Sequence, residues 1–292
     1  MSRILITGTT GLVGGKLIPA LGAAHELFGI CRRALPLQLP ATGIVLDLAS
    51  DWSVDDLPDR VDVIIHLAQS NQWQDFPDAA LDIFGVNVNA TARLLDYAVK
   101  SGVTHFVLAS TGGLYGNSSE PITEAAPLRT PEGPLQYYFG TKRASELLAL
   151  SYRDRFCVSI LRPFFVYGAG QRSPKLVPRL IDNVRSRTAI RVRGDSGTVL
   201  NPAHVDDMVQ VVGACLRQRH QGIVNIGGGQ VTSIRAMATR IGGLLGIDPI
   251  FTSEPGTAET FVTDIGGMRS LMDSDPIHFD HGIDMLLRES DR

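Results

Sequence analysis

The stretch "ILITGTTGLVGGKLIPAL" (4–21) constrains this chain more than any other. An apolar run, "RILIT" (3–7), leads straight into Gly8, Gly11 and Gly14, and a helical pattern starts within the same segment. A turn that tight needs residues without Cβ, and only a bare backbone lets a pyrophosphate approach closely. The helix then offers free N–H groups at its amino end, which favour phosphate. The segment is therefore expected to be a dinucleotide-binding turn, with Gly8, Thr10, Gly11, Leu12, Val13 and Gly14 against the cofactor.

The rest of the first half repeats the same alternation. "ELFGIC" (26–31), "GIVL" (43–46), "VDVIIHLA" (61–68), "HFVLAS" (105–110) and "CVSILRP" (157–163) are nearly continuous in apolar residues, as strands covered on both faces are. Helical patterns at 87–102 and 138–156 lie between them. The fold class expected is α/β, a Rossmann-type doubly wound parallel sheet. The dinucleotide-binding domain should cover 1–166, with 201–228 returning to it. Residues 167–292, punctuated by Gly and Pro and expected to form shorter elements, should be mainly a smaller substrate-binding region.

Charge and cysteine usage narrow the classes. A net charge of −3 supplies no concentrated positive surface, so no nucleic-acid partner is expected. The three cysteines, Cys31, Cys157 and Cys215, are far apart and form no C-x-x-C pair. That excludes a disulfide framework, argues against a metal site and suggests a reducing compartment. With no membrane-length apolar segment and a start too short for a signal peptide, a cytoplasmic protein is expected.

The second strand ends in "GICRR" with no carboxylate to meet a ribose 2′-hydroxyl. Arg32 and Arg33 suit a 2′-phosphate, which favours NADP over NAD, or they form a solvated surface. Asp47, in "VLDLAS", is expected at the adenine end, beside Leu48. "FVLASTGGLYG" (106–116) brings Ser110 and Thr111 to a strand's carboxyl end, where open parallel sheets bind ligands. In "LQYYFGTK" (135–142), Tyr138 and Lys142 share a helix face, whereas Tyr137 shares one with Thr141. A tyrosine near pKa 10 is a weak base, and a nearby ammonium would favour its phenolate.

Taken together, "TGTTGLVG" (7–14), "HLA" (66–68), "NVNAT" (87–91), "STGGLYG" (110–116), "YFGTK" (138–142), "RPFFVYGAGQ" (162–171), "HVDDM" (204–208) and "NIGGG" (225–229) resemble the extended short-chain dehydrogenases/reductases. These are also called the NAD-dependent epimerase/dehydratase family. The resemblance implies catalysis by Thr111, Tyr138 and Lys142, with Tyr138 as acid/base and Thr111 on the reacting oxygen. It implies further cofactor contacts at Leu67, Ala68, Gln69, Asn87, Tyr138, Lys142 and Pro163, and substrate contacts at Trp73, Gly112, Phe164 and Phe165. Asn87 also fits a plain helix N-cap. Trp73 and Phe76, in "SNQWQDFPD" (70–78), either stack on a substrate ring or pin their loop. His66 is expected to be a packed, hydrogen-bonded residue. A homodimer through the helices at 87–102 and 138–156 is implied too.

Departures from the family pattern matter. Dehydratases follow the threonine with Asp-Glu, and this chain has Gly112-Gly113, which argues against dehydration. Phe165 stands where sugar-nucleotide members carry Asn, and Leu200 where they carry a diphosphate-binding arginine. Arg172, Lys175, Arg179, Arg191 and Arg193 either replace that arginine or are solvated surface. Asp206 and Asp207 suit a helix amino end better than a metal. The expected function is an NAD(P)-dependent sugar or sugar-nucleotide epimerase or ketoreductase. The alternatives are a reductase of a smaller carbonyl compound and a non-catalytic NADP-binding regulatory protein.

Overall fold

Apolar runs without alternation make strands that must be covered on both sides, and here they assemble into one sheet. The computed structural model describes residues 1–171 and 173–290. β1 (Arg3–Thr7), β2 (Glu26–Cys31), β3 (Thr42–Val45), β4 (Val63–His66), β5 (His105–Ala109) and β6 (Cys157–Pro163) come first. β7 (Ile190–Arg193), β8 (Val199–Leu200) and β9 (Gly222–Ile226) follow. The seven-stranded sheet runs β3-β2-β1-β4-β5-β6-β9, and each neighbouring pair from β3 to β6 is parallel. Strand order reverses between β1 and β4, the switch point at which such sheets bind ligands.

Helices cover this sheet. α1 (Leu12–Gly22), α2 (Ala80–Phe84), α3 (Ala90–Lys100) and α4 (Gln136–Leu150) belong to the first part of the chain. Leu94, Leu95 and Ala98 of α3 join Leu5, Ile64, Phe106, Leu108 and Ile160 of the strands in one core. Each large apolar side chain so buried contributes about 1.5–3 kcal/mol. The helix expected over 87–102 differs in detail. It begins as a π-helical segment, Gly85–Asn89, continuous with α2. α4 stops at Leu150, six residues early, where the chain turns so that Phe156 stacks on Tyr152 at 5.6 Å in the core.

By its contacts the chain divides into two units: 1–114, 128–162 and 209–224 form one, and 115–127, 163–208 and 225–292 the other. In the second unit β8 lies between β10 (Thr232–Ser233) and β12 (Thr260–Phe261), and β7 pairs with β11 (Phe251–Glu254). α5 (Leu176–Arg185), α6 (Val205–Gln218) and α7 (Ile234–Leu245) are 10, 14 and 12 residues long, longer than the punctuated sequence suggests. Apolar residues at helical spacing, such as Val177, Leu180, Ile181 and Val184, override the punctuation by burying one stripe in a local core.

The first turn of the sheet depends on backbone contact. A Cβ on Gly14 would lie 2.3 Å from the Gly8 carbonyl oxygen and 2.7 Å from Thr9 Cα, whereas one on Gly15 would meet nothing within 4 Å. Gly14→Ala should therefore destabilise the fold by about 1–3 kcal/mol. Gly15→Ala, in the same helix, should stabilise it by up to about 1 kcal/mol. Thermal unfolding of the two variants beside wild type checks both signs.

Candidate active site

Gly8 adopts φ +72°, and a Cβ there would come within 2.8 Å of Ala68 N, so the turn closes against the loop after β4. Gly11 is the N-cap of α1 and gives it no side-chain cap; the first turn of the helix carries no acidic residue. Thr9 donates its hydroxyl to the Ile30 carbonyl at 3.0 Å, tying the turn to β2, while Thr10 is exposed and Leu12 and Val13 are half-buried. This uncapped amino end beside a bare backbone fits a dinucleotide pyrophosphate. Arg32 and Arg33 are exposed directly after β2. Asp47 is exposed and accepts from Ala49 N at 3.0 Å, closing its own turn. The Leu48 side chain is packed in the core. An apolar side chain beside β3 is better stabilised under the helices than in an open crevice.

The two tyrosines of α4 separate cleanly. Tyr138 is buried and its phenol donates to Gln69 Oε1 at 3.0 Å. Its ring lies 5.2 Å from Trp73 and 5.5 Å from Phe139. Tyr137 instead donates to the Ala80 carbonyl at 3.0 Å and stacks on Phe76 at 4.6 Å. Phe76 therefore pins its loop, and Trp73 packs beside Tyr138.

Lys142, buried one turn further along α4, donates to the Ala109 carbonyl at 2.5 Å. That carbonyl closes β5, immediately before Ser110 and Thr111. Thr111 is half-buried and accepts from Gly113 N at 3.2 Å, and Gly112 is buried. The Ser110 hydroxyl is buried without a hydrogen-bond partner, a polar atom at the strand end that a bound nicotinamide ribose or amide could satisfy. Leu67 and Ala68 are half-buried where the loop leaves β4, and Ala68 N donates to Thr7 Oγ1 at 3.1 Å.

Burial sets the charges here. It pushes the Tyr138 phenol above its ordinary range, and a Thr111 hydrogen bond acts in the opposite sense. Burial thus acts on this phenol against the phenolate that a nearby ammonium would favour. Burial also brings Lys142 down to about 8, against an upward pull from Glu146. Glu146 is itself locked to Arg162 by two hydrogen bonds, 2.9 and 2.6 Å, with both side chains buried. Sequence reasoning overlooked this pair, although Glu146 follows Lys142 at the spacing that shares a helix face.

Asn87 is not a helix N-cap. It lies within the π-helical segment, where its Oδ1 accepts from Ser70 N (3.1 Å) and its Nδ2 donates to Thr141 Oγ1 (3.0 Å). Its carbonyl accepts from Ser145 Oγ at 2.5 Å and Thr91 Oγ1 at 2.6 Å. π-segments inside helices recur at functional sites. This one ties the loop after β4 to α3 and α4.

The second unit holds the remaining candidates. Phe164, expected at the substrate, is buried and stacked on Tyr115 at 6.0 Å, so its ring serves packing. Phe165 is exposed at φ +48°, edge-on to Phe261. Pro163 is half-buried. Leu200 is fully buried in that unit's core and carries no charge to a surface. Arg172 lies outside the described residues. Lys175 and Arg179 are exposed residues, although desolvation of its ammonium lowers the Lys175 pKa, and Arg191 pairs with Glu254 at 3.7 Å. Asp207 accepts from Ile277 N at 3.0 Å.

His66 accepts or donates at both ring nitrogens, to Thr7 at 2.7 Å and Thr91 at 3.1 Å, as expected of a packed histidine. Burial, helped by the Lys142 charge, holds it down to about 3. An unfolded histidine protonates near 6.5, so the stability His66 supplies is present above that pH and is lost as pH falls toward 3. Between pH 7 and 5 the loss should be about 2 kcal/mol. Urea unfolding at the two pH values should give a pH-dependent loss smaller by about that amount in His66→Gln.

Comparison with known proteins places the chain in a family. The profile of the "NAD dependent epimerase/dehydratase family" matches residues 4–227. A dTDP-glucose 4,6-dehydratase of Streptomyces griseus is 33% identical over 251 residues, covering 80% of this chain and 75% of that enzyme. A UDP-glucuronate 4-epimerase of Thermodesulfobacterium geofontis is 32% identical over 146 residues; the match takes in 49% of this chain and less than half, 44%, of the epimerase. The solved structure of MoeE5 in complex with UDP-glucuronic acid and NAD has a TM-score of 0.83 at 28% identity, with 99% of each chain covered. The chain therefore belongs to the NAD-dependent epimerase/dehydratase family, the extended short-chain dehydrogenases/reductases.

Proposed function

We propose that this protein is an NAD(P)-dependent epimerase or ketoreductase of a sugar or sugar nucleotide, with Thr111, Tyr138 and Lys142 as its acid–base site. The observation that carries this reading is convergence on one strand end. Lys142 holds the Ala109 carbonyl at 2.5 Å, Thr111 follows two residues on, and the buried Tyr138 phenol is influenced by the Thr111 hydroxyl. When bound, the dinucleotide supplies the hydride acceptor or donor. Tyr138 donates its proton to the reacting oxygen as a ketone becomes a sugar alcohol, and the phenolate so formed takes the hydroxyl proton in the reverse step. Thr111 donates to the same oxygen, and Lys142 supplies donors to the nicotinamide ribose.

A water-eliminating reaction is disfavoured despite the dehydratase among the relatives. Gly112 and Gly113 bring no acid or base. A Cβ on Gly113 would lie 2.4 Å from Phe139 Cε1, so an aromatic ring fills the space that a carboxylate side chain there would need. The exposed Arg32 and Arg33 favour the 2′-phosphate of NADP, while MoeE5 was solved with NAD. A smaller, uncharged carbonyl substrate is the second reading, favoured by the buried Leu200 and the exposed Phe165. The first reading also includes a homodimer, supported by Leu81, Phe84, Val99 and Leu147 standing exposed on α2, α3 and α4.

Tyr138→Phe should abolish turnover of sugar nucleotides while leaving dinucleotide affinity unchanged by calorimetry; turnover retained in this variant would falsify the mechanism. Replacing Arg32 and Arg33 together by Ala should weaken NADP binding by roughly 10-fold or more and leave NAD binding alone, as expected for loss of charge-assisted hydrogen bonds. Sedimentation at micromolar concentration should give a dimer.

A further inference from the structure

Tyr138 is the group this mechanism needs free, yet its phenol already has a partner. Gln69 Oε1 accepts its proton at 3.0 Å. Gln69 is delivered from a fixed backbone. The residue before it donates its N–H to Thr7 Oγ1 (3.1 Å), and the residue after it donates to Asn87 Oδ1 (3.1 Å). The loop beyond is anchored as well. Gln72 N donates to Ser70 Oγ at 3.0 Å, Ser70 is bonded to Asp82, and Phe76 stacks on Tyr137. Trp73 and Phe139 flank the phenol ring at 5.2 and 5.5 Å and limit the room for water.

We propose that Gln69 is a positioning residue whose amide oxygen holds the place of the substrate's reacting oxygen on Tyr138 until substrate displaces it. The proposal rests on Tyr138 being the acid–base group. An amide carbonyl and a sugar ketone present the same sp2 acceptor to a phenol. Exchange of one for the other conserves the hydrogen bond, so Tyr138 stays oriented and neutral in a dry site where an unpaired phenol would be costly. A substrate without a carbonyl or hydroxyl at the reacting carbon cannot make that exchange, so Gln69 adds discrimination at the point of chemistry.

Two measurements on the full-length protein test this. In protein labelled with [13Cζ]tyrosine, the Tyr138 resonance is assigned by its loss in Tyr138→Phe. Gln69→Leu should move that resonance upfield, away from the phenolate position, and Gln69→Glu, which keeps an acceptor, should not. With dinucleotide bound, Gln69→Leu should bind UDP-glucose or dTDP-glucose about fivefold more tightly than wild type, because substrate no longer breaks a resident hydrogen bond. In the Tyr138→Phe background that gain should vanish. A resonance unmoved by Gln69→Leu, or sugar-nucleotide binding altered equally in both backgrounds, overturns the proposal. Turnover retained by Tyr138→Phe would instead sink the acid–base assignment while leaving the resonance result intact.

Discussion

A parallel sheet covered by helices on both faces has almost no wet surface, and everything chemical in this protein follows from that constraint. β1, β4, β5 and β6 have nearly every residue buried. Polar groups survive along them only when paired, as His66 is with Thr7 and Thr91, or where the strands end. The carboxyl ends therefore collect the candidate site residues: Gly8 after β1, Gln69 after β4, Ser110 and Thr111 after β5.

Dryness then sets the protonation states. Burial raises the Tyr138 phenol and lowers Lys142 to about 8, so both groups are displaced toward their neutral forms. Neutrality would suit the proton donor proposed for Tyr138, while Glu146, held by Arg162, opposes the loss of the lysine's charge. A buried pair of this kind is weak evidence of net stability, but removing one partner would leave an uncompensated charge. Its value here is positional: it fixes the carboxylate one helical turn from Lys142.

Asn87 joins the pieces. Four hydrogen bonds meet at its side chain and carbonyl and tie α3, the loop after β4 and α4 together. The π-helical turn makes the carbonyl available, at the expense of regular helical bonding. Nothing in "NVNAT" announces such a turn, and one donor to its carbonyl, Ser145, is 58 residues away in the chain.

The sequence by itself determined the sheet, the glycine turn and the Tyr138–Lys142 face. Those are local properties: hydrophobic periodicity, the absence of Cβ, and the spacing of residues on one helix. Tertiary structure alone decided which neighbours those residues meet. It buried the ring of Phe164 and the side chain of Leu48, brought Phe139 against Gly113, raised the Tyr138 phenol by burial, and put Gln69 on the phenol. Each of these outcomes depends on desolvation or on contact between segments distant in sequence, and neither quantity is defined until the chain has folded.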